Sequence, residues 1–237
     1  MRRIVRPCAV VCVLFAASRV YGAELVAHWP MEEVKDGTLA DVSGKGHDGT
    51  LFGNGTPTVI DGIAGKALEF KPEAEGGFTI ANSEALNLPD GLTVMAWIKP
   101  LDGHRATEVL CMKGDKSGDP PWSGWRFRFA WTRIMFEFGT TDGRECSTLS
   151  PEWSVPAGFW SHVAATYDGE AIRIYVNAVL VADQAVEGAL APQKQPAILA
   201  NYIGRKDAYP FQGAMDDVKV FAGALSQDEI FGEASAK

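Results

Sequence analysis

The sequence predicts an all-β protein, a sandwich of two antiparallel sheets, and three observations predict it. Residues 159–181 alternate with period two on both sides of Asp168-Gly169: Val163, Ala165 and Tyr167 before the turn, Ile172, Ile174 and Val176 after it. An Asp-Gly pair between alternating apolar runs is the strongest short-range hairpin signal. Second, 25 Gly and 13 Pro punctuate a 237-residue chain in which long helical periodicity is absent. Third, Trp125, Phe127, Phe129 and Trp131 share one face of a run that turns near Thr132, and Ile134, Phe136 and Phe138 match that face on the return. Each such greasy face needs a second sheet to cover it.

Taken in order, residues 1–22 come first and read as a secretory signal peptide. Arg2, Arg3 and Arg6 make a basic start, Ala9 to Ala17 is apolar, and small residues precede Ala23. The alternative for this stretch is an uncleaved anchor, for which its apolar run is short. Residues 23–237 then read as a single domain with no shift of composition. Strands are expected at 25–31, 67–70, 78–80, 91–100, 107–113, 124–131 and 133–138. Residues 32–50 form a turn-rich loop. The three antiparallel strands of 159–181 follow, then strands at 200–204 and 211–221. Ser226 and Glu229 stand at capping-box spacing and open a short C-terminal helix. First and last segments both read as full strands, and in such sandwiches the chain ends commonly lie side by side.

The formal charge is −8, and loss of the leader's four arginines leaves 18 basic against 30 acidic residues, a charge of −12. So acidic a surface argues against nucleic acid and anionic membrane as partners. It suits divalent cations and neutral sugars. No further stretch approaches membrane-spanning length. Two cysteines, Cys111 and Cys146, remain after the leader, and in an exported protein they are expected to pair; two separately buried thiols are the alternative.

Several segments resemble one family in that family's order. They are Leu25-Val26-Ala27-His28-Trp29-Pro30-Met31-Glu32, Asp41 to Leu51, Gly65-Lys66-Ala67-Leu68-Glu69-Phe70, Leu92 to Ile98, Trp160-Ser161-His162-Val163 with Tyr167-Asp168-Gly169, Tyr175-Val176-Asn177, and Phe211-Gln212-Gly213-Ala214-Met215-Asp216-Asp217-Val218 through Ile230. Together they resemble the concanavalin A-like, laminin-G-like (LamG-type) jelly-roll domains. The resemblance implies a two-sheet antiparallel jelly-roll β-sandwich. It says less of function, because this sandwich hosts lectins, adhesion modules and hydrolases alike. One departure is Asn177-Ala178, where the family usually has Asn-Gly; Ala is disfavoured at positive φ, so another turn type is expected.

Catalysis finds little support. Gly44-Lys45-Gly46-His47-Asp48-Gly49 matches G-x-G-x-x-G but lacks the strand before and helix after that a dinucleotide site needs. Hydrolases of this sandwich place paired carboxylates along one strand, and no such run occurs. Glu137, the only acid of the aromatic hairpin, reads as part of a solvated strand face. The expectation is a secreted, non-catalytic binding module whose partner is an extracellular glycan or a cell-surface protein.

The expected sugar site lies within 113–128: Trp122 on a Pro-Pro loop and Trp125 for stacking, Arg126 and Arg128 as donors. Trp125 equally fits a core face with Phe127, Phe129 and Trp131. A structural calcium is expected to tie the chain ends through Glu32, Asp41 and Asp48 near the start and Asp216 and Asp217 near the end. Asp216 shares parity with Val218 and Val220, which points it inward, where a carboxylate needs a partner. Backbone amides are the alternative partner, and domains of the resembling family carry calcium where first and last strands meet.

Overall fold

The computed structural model describes residues 22–71, 76–102, 107–114, 123–202 and 210–236. The predicted leader and Trp122 therefore lie outside the described residues, Gly22 excepted. Among those described, the strands in chain order are β1 (Glu24–Trp29), β2 (Thr38–Leu39), β3 (Gly49–Phe52), β4 (Thr58–Asp61), β5 (Lys66–Phe70), β6 (Gly77–Ile80), β7 (Leu92–Pro100) and β8 (Thr107–Lys113). They continue as β9 (Trp125–Ala130), β10 (Arg133–Gly139), β11 (Glu145–Leu149), β12 (Ser161–Tyr167), β13 (Ala171–Val176), β14 (Val179–Ala185), β15 (Ala197–Leu199) and β16 (Gly213–Ala222), and helix α1 (Gln227–Ser235) closes the chain.

Two antiparallel sheets result. The first runs β14-β13-β12-β7-β16-β5-β4, with β1 also on β16, and the second runs β11-β10-β9-β8-β15-β6-β3-β2. The ten-residue β16 pairs with β5 through residues 213–215 and with β1 through residues 218–222, so the first and last strands lie side by side as expected. The core between the sheets holds Trp29, Phe70, Phe78, Trp125, Phe127, Phe129, Phe136, Phe138 and Tyr167, all essentially buried. Each such side chain contributes on the order of 1.5–3 kcal/mol by leaving water. Their polar atoms are satisfied: Trp29 Nε1 donates to His47 O (2.8 Å), Trp125 Nε1 to Leu86 O (3.2 Å) and Tyr167 Oη to Gly188 O (2.7 Å). The capping box forms at Ser226 and Glu229, and α1 sets Ile230 among Met95, Ala164, Tyr175 and Phe221 on the outside of the first sheet.

Several expectations are corrected. The predicted strand at 200–204 is not formed over 200–202, and 203–204 lie outside the described residues: β15 ends at Leu199, where Ala200 has φ +61°. β2, β3, β4 and β11 are strands that alternation did not reveal; β2 and β3 lie within or across the end of the predicted 32–50 loop. At Asn177-Ala178 both residues have positive φ (+50° and +60°), so the turn keeps the handedness expected of Asn-Gly despite the alanine.

The disulfide is not present, and both thiols are free. Register explains why. Cys111 pairs with Phe127, Phe127 with Phe136 and Phe136 with Thr148, whereas Cys146 pairs with Phe138. The two cysteines thus stand three strands apart, about 14 Å at ordinary strand spacing, and a disulfide needs Cα atoms within about 7 Å.

Candidate functional site

The outer face of the second sheet is built by one register row. Ser147 lies opposite Glu137, Glu137 opposite Arg126, Arg126 opposite Met112, and Met112 opposite Ile198; Thr79, Thr50 and Thr38 complete the row. A second row carries Leu149, Met135, Arg128 and Val109. Alternation in β9 thus sends Trp125, Phe127 and Phe129 into the core and Arg126 and Arg128 out of it.

The arginines meet a carboxylate there. Arg126 Nε donates to Glu137 Oε1 at 2.7 Å and Arg128 Nε to the same oxygen at 2.6 Å. Arg126 Nη2 also contacts that oxygen. Glu137 is fully buried and Arg126 nearly so, while Arg128 keeps some exposure. The solvated reading of Glu137 is therefore corrected: it is the buried acceptor of two guanidiniums. Breaking such a pair from one side costs about 3–5 kcal/mol, because a charge is left in a dry site. The Tyr202 ring lies over Arg126 at 5.4 Å, and Val109, Met112, Ile198 and Tyr202 form a buried apolar cluster beside the charges, with Phe52 packed against it.

The predicted sugar contacts divide accordingly. Arg126 and Arg128 stand on one outer face. Trp125 does not join them: at 1% exposure it is core, so its place in the sugar site is corrected to packing. Lys113, at the start of the predicted segment, is buried; its ammonium donates to Asn82 Oδ1 (2.7 Å) and Gln195 O (2.9 Å), and burial pushes its pKa down to about 8.

The five predicted calcium ligands are not brought together, and no cluster of three or more His, Cys, Asp or Glu fit for a metal occurs among the described residues. Asp41 organises its own loop: it accepts from the amides of His28 (2.9 Å), Ser43 (2.9 Å) and His47 (2.9 Å) and from Ser43 Oγ (2.8 Å). Burial raises its pKa, but those donors outweigh it and hold the carboxyl below its usual value. Asp48 accepts from the Asp41 amide (2.7 Å). Asp217 has φ +52° and binds His28 Nε2 (2.6 Å) and Lys219 Nζ (3.0 Å).

Asp216 does not share the core face of Val218. A bulge between Asp216 and Lys219 inserts a residue, so Met215 takes the core position and Asp216 stands opposite Trp97 on the other face. There it accepts from the Ile63 amide (2.9 Å), while Glu32 accepts from the Lys66 amide (2.9 Å). Glu32 and Asp216 thus flank the same turn, closed by Gly62 N to Gly65 O (3.0 Å).

Two functional candidates escaped the sequence reading. Trp131, assigned there to the core face, is 68% exposed on the β9–β10 turn, and Trp153, after β11, is 69% exposed. Positive φ at both (+59° and +60°) breaks the alternation that suggested burial for Trp131. A cleft of about 860 Å³ lies elsewhere, between β11 and the β13–β14 edge, lined by Arg144, Cys146, Glu170, Gln184 and Glu187. It holds none of the predicted sugar or calcium contacts.

The sequence profile of the laminin-G-type concanavalin A-like lectin/glucanases superfamily matches residues 72–231. Pappalysin-1 of Mus musculus is 28% identical over 160 residues, and that of Homo sapiens 27%; each match covers 62% of this chain and 10% of the relative, so the chain spans about a tenth of those proteins. Among solved structures, domain 4 of AbnA, an extracellular arabinanase of Geobacillus stearothermophilus in complex with arabinotriose, superposes with TM-score 0.68 at 21% identity, over 90% of this chain and 99% of that one. The ligand-binding domain of botulinum neurotoxin serotype D in complex with N-acetylneuraminic acid gives 0.67 at 13%, over 90% and 51%. At these identities the two structures speak for the fold.

Proposed function

Since the chain belongs to the concanavalin A-like lectin/glucanases superfamily, we propose that it is a secreted, non-catalytic module that binds an extracellular glycan. The observation that carries this reading is the Arg126–Glu137–Arg128 cluster on the outside of the second sheet. Charged side chains on a sheet's outer face have no need to be so buried or so tightly paired unless their geometry matters. Glu137 fixes both guanidiniums, and fixed guanidiniums are preorganised donors for hydroxyl or carboxylate groups of a sugar. Trp122 belongs to the segment joining β8 to β9 and is retained as a stacking residue.

The neutralised setting of Glu137 also favours binding over hydrolysis, since a carboxylate held by two arginines is poorly suited to donate a proton. A structural calcium is kept in the proposal in reduced form, held by Glu32 and Asp216 at the Gly62–Lys66 turn, with backbone carbonyls completing an oxygen shell. The leader-like residues 1–22 support export.

A glycan array followed by calorimetry tests the reading. Trp122→Ala should weaken the selected glycan by about 1–3 kcal/mol, with melting temperature little changed; Arg128→Ala should weaken it too and also lower the melting temperature, because buried Glu137 loses one of its two partners. No glycan bound by the wild-type protein, or cell-surface protein capture in its place, removes the reading. New reducing ends on overnight incubation with polysaccharides would remove the non-catalytic part alone.

A further inference from the structure

We propose that Trp131 and Trp153 form a second carbohydrate-stacking site, at the end of the β9–β10–β11 ladder, that takes further rings of an extended polysaccharide. This rests on the glycan-binding reading and specifies it: the ligand is a chain, held at two places, rather than a single terminal sugar.

The two indoles are the most exposed tryptophans described, and the same scaffold carries both. Trp131 opens the two-residue turn between Ala130 and Arg133, which pair across β9 and β10. Trp153 N donates to Thr132 O at 3.0 Å, and Arg133 Nη2 binds Glu152 Oε1 at 2.9 Å, so the residues next to each tryptophan are tied to one another. Ser150 N donates to Ile134 O (2.8 Å), Ile134 N to Ser150 Oγ (3.0 Å), and Ser154 Oγ to Ser150 Oγ (2.7 Å). Adding covalent spacings to the 3.0 Å bond keeps the two Cα atoms within about 11 Å. One oligosaccharide spans that.

The backbone holds these rings outward against its own preference. In the β9–β10 turn only Trp131 of the central pair has positive φ, the pattern of a II′ turn whose first position favours Gly. Trp153 adopts the same left-handed conformation. Bulky residues rarely do so, and such strain collects at functional positions. An exposed indole on a strained turn contributes nothing to the core, so stability does not account for it.

Chemistry selects the occupant. The two tryptophans have polar neighbours in the chain: Thr132 and Arg133 follow Trp131, and Glu152 and Ser154 flank Trp153. A protein interface wants a broad apolar centre. A sugar ring wants one apolar face and hydroxyl partners at its edge, which an indole and polar neighbours supply. An anionic membrane surface is disfavoured by the chain's charge of −8. Leu149, Met135 and Arg128 form one outward row across β11, β10 and β9, next to the turn that carries Trp131.

The test measures soluble arabinan, xyloglucan and polygalacturonate, and trisaccharides of each, by calorimetry and affinity electrophoresis. For the polymer that the wild-type protein binds, the double variant Trp131→Ala/Trp153→Ala should lose at least about tenfold in affinity, with the trisaccharide's affinity and the melting temperature unchanged. Trp131→Phe/Trp153→Phe should restore most of it. Equal polymer binding by the alanine variant overturns this inference and leaves the glycan reading intact. Loss of trisaccharide and polymer binding alike overturns it too, because the pair would then belong to the central site. No binding of any polymer or trisaccharide by the wild-type protein overturns both readings. Binding to phosphatidylserine vesicles that the alanine variant loses, with polymer affinity unchanged, makes the pair a membrane contact instead.

Discussion

His162 shows how far one side chain departs from what its type suggests. It sits on β12 opposite Trp97, ring against ring at 5.4 Å, with Nδ1 buried and unpartnered. Burial is the largest influence and, with Lys219, lowers its pKa from 6.5 to about 4; Asp217 opposes them in part. The unfolded chain therefore binds a proton that the folded protein refuses. Stability is unaffected above about pH 6.5, falls as pH drops toward 4, and levels off below that. The loss is on the order of 3 kcal/mol. Denaturant melts at steps between pH 7 and pH 4 should show this slope, and His162→Phe should flatten it; a parallel slope in both proteins assigns it elsewhere. The carboxyl of Asp41, depressed by its four donors, acts in a lower window, below its usual 3.8. Ala178 is a second case. Its left-handed backbone costs about 1 kcal/mol, yet its methyl is buried among Met95, Ala164 and Tyr175 and recovers about 0.8 kcal/mol. The near-balance explains why alanine stands where glycine is the easier residue.

Whole strands decide what register permits. Alternation in β9 and β10 was read correctly for Trp125, Phe127, Phe129, Ile134, Phe136 and Phe138, because both strands are regular and one face is buried. It failed at Trp131 and Asp216, and both failures are backbone events: a left-handed residue at a turn and an inserted residue in β16. Either resets a period of two without altering residue type. Register also rules out the disulfide, which rested on the presence of two cysteines after the leader rather than on strand order. Native labelling with iodoacetamide should modify Cys146, half-exposed at the β11 edge, and spare Cys111 until the protein is denatured. Burial pushes the Cys111 thiol well above its usual pKa, which reinforces the difference. A mass two daltons below that of the dithiol, in non-reduced protein, would reinstate the bridge.

For the molecule as a whole, the junction of its ends carries the calcium proposal. β1 and β5 lie end to end on β16, and the Gly62–Lys66 turn brings Glu32 and Asp216 to that junction. An ion there stabilises the fold only by binding the folded chain. At tenfold over its dissociation constant it contributes about 1.4 kcal/mol, or roughly 3–6 °C for a chain of this size. Metal-stripped protein should melt lower than protein with millimolar calcium, and Asp216→Asn should erase the difference. Identical melts remove the ion from the proposal.

The two-sheet architecture, the hairpin at Asp168-Gly169, the capped final helix and the outward arginines of β9 were all determined by the sequence, because period, turn chemistry and capping are local properties that a chain carries in its residue order. Tertiary structure alone decided that Glu137 is the buried partner of Arg126 and Arg128, that Trp131 and Trp153 are surface, and that the five acids do not converge on one site. Those outcomes depend on which strands become neighbours and where a bulge or left-handed residue shifts the register, and both are set by contacts between residues far apart in the chain.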